Sequence, residues 1–561
     1  MSRQNRLLIG RHRNWSVCVF LLSFVPILAA QEPSLTTAQH SPVSLLTGSR
    51  PGIAVVIPRQ WLGALEPWQR YREQQGYQVF VVEVVPNISA LKEAIATIAS
   101  QPSNNLQFVM LCADVGPGLE ESQRLGTFYH ASSALVQFGG DKLIATDNDF
   151  ADLDDDDIPD LAVGRIPADS SVQLADYLQR VMDYENTAVV SDCCRNVHVV
   201  AGVGGFGALA DLAIESTTRS FLASRFPPWI NLSMTQASLD SHFCPDPLHF
   251  DEACLSRLNS GGMFWIYIGH GHIKTLDYML VNETYLPILN THHLPAVDIQ
   301  GQAPVAAFLA CYTGAFDAVE DSLAESLTML PRGPIASIAA SRVSGPYGMA
   351  ILADGLLEEN FERQTATLGE QLRNAKRQSL LMDDKSDQLS NQLRLINSIA
   401  SAMTPENYDL LAERREHVWQ MNLLGDPVLH LRHAPVIQLK VEGIAQPGHS
   451  IRVTGSSPLA GQLAVEFAYR RDQRRRDVPS LPTAVIDVEL GQQFQARYEK
   501  VLSPVLSVVE LKLLRAGEFE CEVPIPSDIP RGTYHIRALI SDNNQWAAGY
   551  ADVSLRRSPV E

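Results

Sequence analysis

Two apolar runs in this chain end in side chains capable of covalent chemistry. The first, Gly261-Gly262-Met263-Phe264-Trp265-Ile266-Tyr267-Ile268-Gly269-His270-Gly271-His272, delivers an imidazole at His270. The second, Pro304-Val305-Ala306-Ala307-Phe308-Leu309-Ala310-Cys311-Tyr312-Thr313-Gly314, delivers a thiol at Cys311. A thiol attacks as thiolate, and a nearby imidazole can accept its proton. Gly271 has no Cβ, so its N–H can approach a substrate carbonyl oxygen; with the Cys311 N–H it could form an oxyanion hole. For either residue alone, the plain alternative is a core residue at a strand end, because cysteine is among the most buried residue types. Two matched runs weaken that alternative.

Such chemistry needs a frame that holds both side chains still. Each apolar run has the length and the β-branched and aromatic content of a buried strand. Each stops at glycine, which lets the backbone turn sharply. His270 and Cys311 are therefore expected at the carboxyl ends of two strands of one parallel sheet.

The wording of these runs resembles a known family. Tyr267-Ile268-Gly269-His270-Gly271 and Leu309-Ala310-Cys311-Tyr312-Thr313-Gly314-Ala315-Phe316-Asp317 resemble the His-Gly and Ala-Cys blocks of the caspase-like cysteine peptidases, and within them the gingipains. Ile335–Arg342 resembles that family's next strand, and Asn422-Leu423-Leu424-Gly425-Asp426-Pro427-Val428-Leu429 the block that closes its catalytic domain. Leu161–Pro167 resembles a further block. The likeness spans residues 50–433, and several blocks in order are more specific than one. It implies an α/β fold: a caspase-like catalytic domain of two α/β subdomains with parallel sheets, followed by an all-β immunoglobulin-like sandwich. It implies a cysteine endopeptidase with Cys311 and His270 as its dyad and no cofactor for catalysis. Asp211 and Glu215 match the family's Asp-x-x-x-Glu spacing. By resemblance Asp211, with Ser341, is an S1 candidate that would favour arginine, since a buried carboxylate pairs well with a guanidinium. The alternative for Asp211 is a helix-surface acid. The gingipain acid that supports the histidine aligns with Val203, so the chain shows a dyad rather than a triad. Only residues 31–50 stand where the family carries an inhibitory propeptide, which implies that this device is absent or reduced.

Length and composition agree with an exported, globular, multidomain protein. A chain of 561 residues is too long for one core. Residues 1–30 read as a secretory signal: Arg3, Arg6, Arg11 and Arg13 precede the apolar run Trp15–Ala30. Cleavage is expected near Ala29-Ala30; an uncleaved anchor is the alternative, because Leu28 is not small. Losing the signal removes four arginines and no acid, taking the net charge from −19 to −23. So acidic a surface argues against nucleic-acid partners. The expected partners are protein or peptide substrates, the expected state a monomer, and the expected location secreted, cell-surface or periplasmic. Of eight cysteines, Cys18 lies in the signal. No CxxC pair or zinc spacing occurs.

Along the chain, residues 31–50 read as a flexible lead. Residues 51–190 alternate strand and helix patterns, as subdomain A, the non-catalytic one. Residues 191–433 read as subdomain B, the catalytic one. Residues 349–382 and 387–402 are helical by period, and Leu423–Leu431 reads as a strand. Residues 434–561 carry short alternating segments between Pro/Gly turns, the mark of a β-sandwich. Arg470–Arg476 within it reads as an exposed basic hairpin loop. In subdomain A, Asp152, Asp154, Asp156 and Asp160 fall at positions 1, 3, 5 and 9 of a loop, with the Ile158 carbonyl at 7. Alternate carboxylates can converge on Ca²⁺; the alternative is a solvated acidic loop, and Asp157 stands where a calcium loop usually has Gly.

Two functions follow. One is an exported cysteine endopeptidase, with cleavage after Arg as its expected preference. The other is a catalytically weak or inactive peptidase homologue acting as a surface or adhesion binding protein, motivated by Val203 and the short lead.

Overall fold

A computed structural model describes residues 50–116, 118–187, 192–204, 225–382, 391–405, 407–442, 445–471, 478–542 and 545–555. The first strand, β1 (Gly52–Ile57), is wholly buried. The chain then alternates, as its periodicity demands: α1 (Leu62–Gln74), β2 (Gln78–Glu83), α2 (Ile88–Ala99), β3 (Leu106–Cys112), β4 (Ala162–Ile166) and α3 (Ser171–Asn186). Asn87 caps α2 and Ser170 caps α3 with side-chain oxygens, each meeting N–H groups a new helix leaves unpaired. The second series is β5 (Asn196–Ala201), β6 (Asn231–Gln236), α4 (Phe250–Asn259), β7 (Phe264–Ile268), β8 (Val305–Leu309), α5 (Leu323–Met329) and β9 (Ala336–Ala340). It closes with α6 (Pro346–Phe361), α7 (Leu368–Leu381), α8 (Asn391–Met403), α9 (Leu410–Gln420) and β10 (Met421–Leu424).

The two expected sheets form one ten-stranded sheet, ordered β2-β1-β3-β4-β10-β9-β8-β7-β5-β6. Neighbours are parallel except at the seam, where β10 runs antiparallel to β9 and parallel to β4. The last strand of the sheet thus pairs with both halves and welds them together. Odd and even residues of the central strands enter different cores. Phe264 and Ile266 belong to one, Trp265 and Tyr267 to the other, as a period of two requires of a sheet covered on both faces.

The expected strand Leu423–Leu431 ends early, at Leu424. Gly425 turns the chain at φ +149°, and a Cβ there would sit 2.8 Å from the Ala336 Cβ. Asp426 then accepts hydrogen bonds from Trp68 Nε1 (2.7 Å) and Arg72 Nη2 (2.8 Å) on α1. Arg72, fully buried, also pairs with Glu185 on α3 at 2.7 Å. The helical stretch expected over 349–382 is broken between α6 and α7. Gln364 adopts φ +53°, and Thr367 caps the new helix.

Beyond the α/β fold lie β11 (Gln438–Glu442), β12 (Ser450–Ser457), β13 (Gly461–Tyr469), β14 (Val505–Leu513), β15 (Gly517–Pro524), β16 (Gly532–Ser541) and β17 (Trp546–Leu555). They make a three-stranded sheet β11-β12-β15 and a four-stranded sheet β14-β13-β16-β17 around a separate core. A helix that the strand pattern did not suggest, α10 (Val488–Leu502), joins β13 to β14. It docks on the α/β fold: Phe494 enters the Trp265/Tyr267 core, and Tyr498 Oη lies 2.6 Å from Thr235 Oγ1. Arg195 and Arg537 clamp Glu466 at the same junction. The basic cluster is not all exposed loop. Arg471 turns inward and donates to the carbonyls of Phe226, Pro227 and Ile230; residues 472–477 lie outside the described residues.

Candidate active site

The parallel register of β7 and β8 fixes where the two reactive residues emerge. Ile268 pairs with Leu309, and the Gly269 N–H donates to the Leu309 carbonyl at 3.2 Å. His270 and Cys311 each follow two residues later. They leave neighbouring strands at equivalent positions, on the carboxyl edge of the sheet. His270 is exposed and Cys311 half-buried. Gly271 lies against the turn that holds the thiol. A Cβ there would sit 2.8 Å from the Cys311 carbonyl oxygen and 2.8 Å from Thr313 Cγ2. The chain needs glycine after the histidine for space.

The thiol itself is distinct. Of the seven described cysteines, the other six are buried. The Cys311 Sγ accepts a hydrogen bond from the Ser344 N–H at 3.3 Å. Burial pushes its pKa up, and the N–H groups of Ser344 and Cys311 oppose that by favouring the thiolate. The next residue, Tyr312, adopts φ +57°, a left-handed conformation that costs a non-glycine residue on the order of 1–3 kcal/mol. The turn is held by Tyr312 N–H to Arg342 O (3.1 Å), Gly314 N–H to Ala340 O (2.9 Å) and Ala324 N–H to Thr313 O (3.0 Å). Arg342 makes a two-pronged pair with Asp317, at 2.7 and 2.5 Å. Two blocks distant in sequence are thus bolted together beside the thiol.

Sequence reasoning missed Tyr267. Its buried phenol donates to the His270 carbonyl at 2.7 Å and accepts from the Asp277 N–H at 3.3 Å. A Cβ on Gly202 or Gly269 would approach that oxygen within 2.6 or 2.7 Å. The glycines on both strands therefore exist to seat one hydroxyl. The available signal was a tyrosine two residues before Gly269 in a run otherwise apolar. Val203 follows Gly202 at the end of β5 and packs as a half-buried apolar side chain.

Comparison with known proteins agrees with this geometry. The model of peptidase family C25 matches residues 47–432. The chain belongs to that family. It is a cysteine peptidase of the gingipain group, with the caspase-like α/β fold. Among solved structures, the Arg-specific cysteine proteinase gingipain R (RgpB) is 15% identical and covers 92% of this chain and 100% of its own, with a TM-score of 0.50. A structure described as a protease is 15% identical over 90% of this chain and 97% of its own, at TM-score 0.51. The complex of pro- and mature domains of RgpB from Porphyromonas gingivalis is 14% identical over 90% and 100%, at TM-score 0.48. Identities this low speak to fold alone. No curated protein matches the chain.

The other candidate residues of this C25 peptidase fare differently. Asp211 and Glu215 lie outside the described residues. Ser341 is fully buried, and its hydroxyl donates to the Ala145 carbonyl at 2.7 Å. It lies just past the end of β9, and that hydrogen bond ties it to the neighbouring Ala145 segment. The expected loop 343–348 ends at Gly345, where α6 begins, and both loop end and first turn are positioned by α9. The Gly345 N–H donates to His417 Nε2 (3.2 Å) and the Gly348 N–H to Glu413 Oε1 (2.9 Å). In the acidic loop, ligand oxygens of Asp152, Asp154 and Asp156 lie within 4.8 Å of one another. Asp160 is not in that group; its Oδ2 accepts from the Leu153 N–H at 3.0 Å. The Ile158 N–H donates to Asp156 Oδ1 at 2.8 Å.

Proposed function

We propose that this C25 member is an exported cysteine endopeptidase, working as a monomer on protein or peptide substrates. The observation that supports it most is the equivalent emergence of His270 and Cys311 from paired parallel strands, with Gly271 closed against the Cys311 turn. His270 takes the Cys311 proton, and the thiolate attacks the scissile carbonyl carbon. The N–H groups of Gly271 and Cys311 hold the resulting oxyanion. His270 then protonates the leaving amine as a thioester forms. It next deprotonates a water, which releases the acid and restores the thiol. Asp211 would confer a preference for arginine through a guanidinium–carboxylate pair. The leader at residues 1–30 supports export. No helix among the described residues is long and apolar enough to cross a membrane. We also propose that Asp152, Asp154 and Asp156 hold a structural calcium ion; like charges this close repel without one.

The competing reading is a binding scaffold that has lost turnover. It is favoured by one observation: burial holds the Cys311 thiol up, which works against the thiolate. Fluorogenic peptidyl-Arg and peptidyl-Lys substrates decide between them. Under reducing conditions with calcium, residues 31–561 should turn over the arginyl substrate, and Cys311→Ala should abolish it. Asp211→Ala should lower the Arg-over-Lys ratio. Absence of turnover on a broad peptide library would support the scaffold.

A further inference from the structure

The turn after His270 is a short antiparallel hairpin in which Gly271 pairs with Leu276 and His272 with Thr275. One step further along the same register, His270 stands opposite Asp277. Antiparallel pairs alternate between hydrogen-bonded and non-hydrogen-bonded positions. The Leu276 N–H points out of the hairpin, to the Leu289 carbonyl at 2.8 Å, so Gly271–Leu276 is the non-bonded pair. His270–Asp277 is then the bonded position. Its direct N–H···O=C bond is replaced by a relay: Asp277 N–H to Tyr267 Oη, and Tyr267 Oη–H to His270 O. The ladder continues, widened by one hydroxyl.

Directly opposed residues project to the same face of a hairpin, with Cβ atoms close enough for side chains to interact. Asp277 has one carboxylate oxygen committed, Oδ1, which accepts from the Tyr278 N–H at 2.8 Å. The other, Oδ2, is buried and has no hydrogen-bond partner among the described residues. Leaving such an oxygen unpaired is destabilising, so folding alone does not favour it. A cysteine–histidine site gains from an acceptor that fixes the imidazole and stabilises its protonated form. Val203, just past the end of β5, offers none.

We propose that Asp277 is the positioning residue for His270, its Oδ2 receiving an imidazole N–H when His270 carries the proton taken from Cys311. The third group of the site thus comes from the hairpin after the histidine. Other ionisable groups border this turn. Tyr267 stays protonated, because burial and then the charges of Asp277 and Cys311 push its pKa well up. Lys274 is paired with Glu320. Tyr312 and His272 lie ring to ring at 5.9 Å.

This inference rests on the peptidase reading, and the test separates the two. Iodoacetamide alkylation of Cys311 is followed against pH in wild type, Asp277→Asn and Asp277→Glu, beside kcat and KM on a cleaved peptide. In the wild type, a thiolate paired with protonated His270 should react well below the usual cysteine range. In Asp277→Asn that low-pH reactivity should fall on the order of 10- to 100-fold, with kcat falling in parallel and KM and Tm little changed. Asp277→Glu should restore part of both. Wild-type alkylation and kcat in Asp277→Asn would overturn the positioning role while leaving the peptidase intact. A wild-type Cys311 inert across the pH range, with no turnover, would overturn both. If Asp277→Asn fails to fold, Asp277→Glu decides: full activity with an unshifted profile counts against the proposal.

Discussion

At the residue scale, the site contains two opposing forces on one thiol. Burial raises the Cys311 pKa, and backbone N–H groups lower it without fully compensating. A raised value means the thiol is protonated at neutral pH unless His270 removes the proton. In His270→Ala, iodoacetamide alkylation of Cys311 should therefore climb only above the ordinary cysteine range near 8.5. Intact protein should react at lower pH. The same profile in both proteins would show that the imidazole does not serve the thiol. His270, Gly271 and Cys311 were legible because each is the last word of a strand. Tyr267 was not: nothing in a tyrosine's type says that its hydroxyl will replace a ladder hydrogen bond. Ser341 read as a pocket residue by resemblance; it is buried just past β9 with its hydroxyl on the Ala145 carbonyl, a contact that residue type and spacing do not reveal.

At the element scale, α9 organises the loops along the carboxyl edge. Glu416 accepts N–H groups from Ser133, Ala134 and Leu135, at 2.5, 2.7 and 3.0 Å. Burial alone would raise its pKa, yet these donors hold it below the usual carboxylate range. Glu416→Ala leaves several buried N–H groups unpaired and should cost about 2–4 kcal/mol, read as a lower urea midpoint. A midpoint within about 0.5 kcal/mol of wild type would mean water replaces the carboxylate. The acidic loop allows a second test. Calcium at about 100 times its Kd should stabilise the fold by roughly 2.7 kcal/mol, seen as a higher Tm than in EDTA. Asp152→Asn should remove the difference; an equal Tm in calcium and EDTA with the wild type would discard the ion. The alternating elements of the α/β fold were legible where period and caps agree, as at Asn87 and Ser170. The helix α10 was not, because it interrupts a strand pattern and its apolar face serves another domain.

At the scale of the whole molecule, one seam and one junction hold the parts together. The seam strand β10 is backed by Arg72, which ties Glu185 on α3 to Asp426 just after β10. Burial works to raise the Glu185 pKa, but His430 and Arg72 hold it down to about 2. A depressed carboxylate contributes stability above its unfolded value, near 4.3, and that contribution fades as pH falls toward 2. Tm should drop across that window, and Glu185→Gln should flatten the drop while lowering Tm at neutral pH. An unchanged slope would assign acid lability elsewhere. The single welded sheet was not legible, since β10 pairs with strands far apart in sequence and only the closed fold reveals it.

The most direct test of the central claim is covalent capture. Wild-type protein and His270→Ala are treated at neutral pH with a mixed set of peptidyl chloromethyl ketones, and adducts are located by mass spectrometry. Saturable labelling confined to Cys311, reduced on the order of 100-fold in His270→Ala, is the expected result. Labelling that is absent, spread over other cysteines, or indifferent to His270 would contradict a Cys311–His270 peptidase.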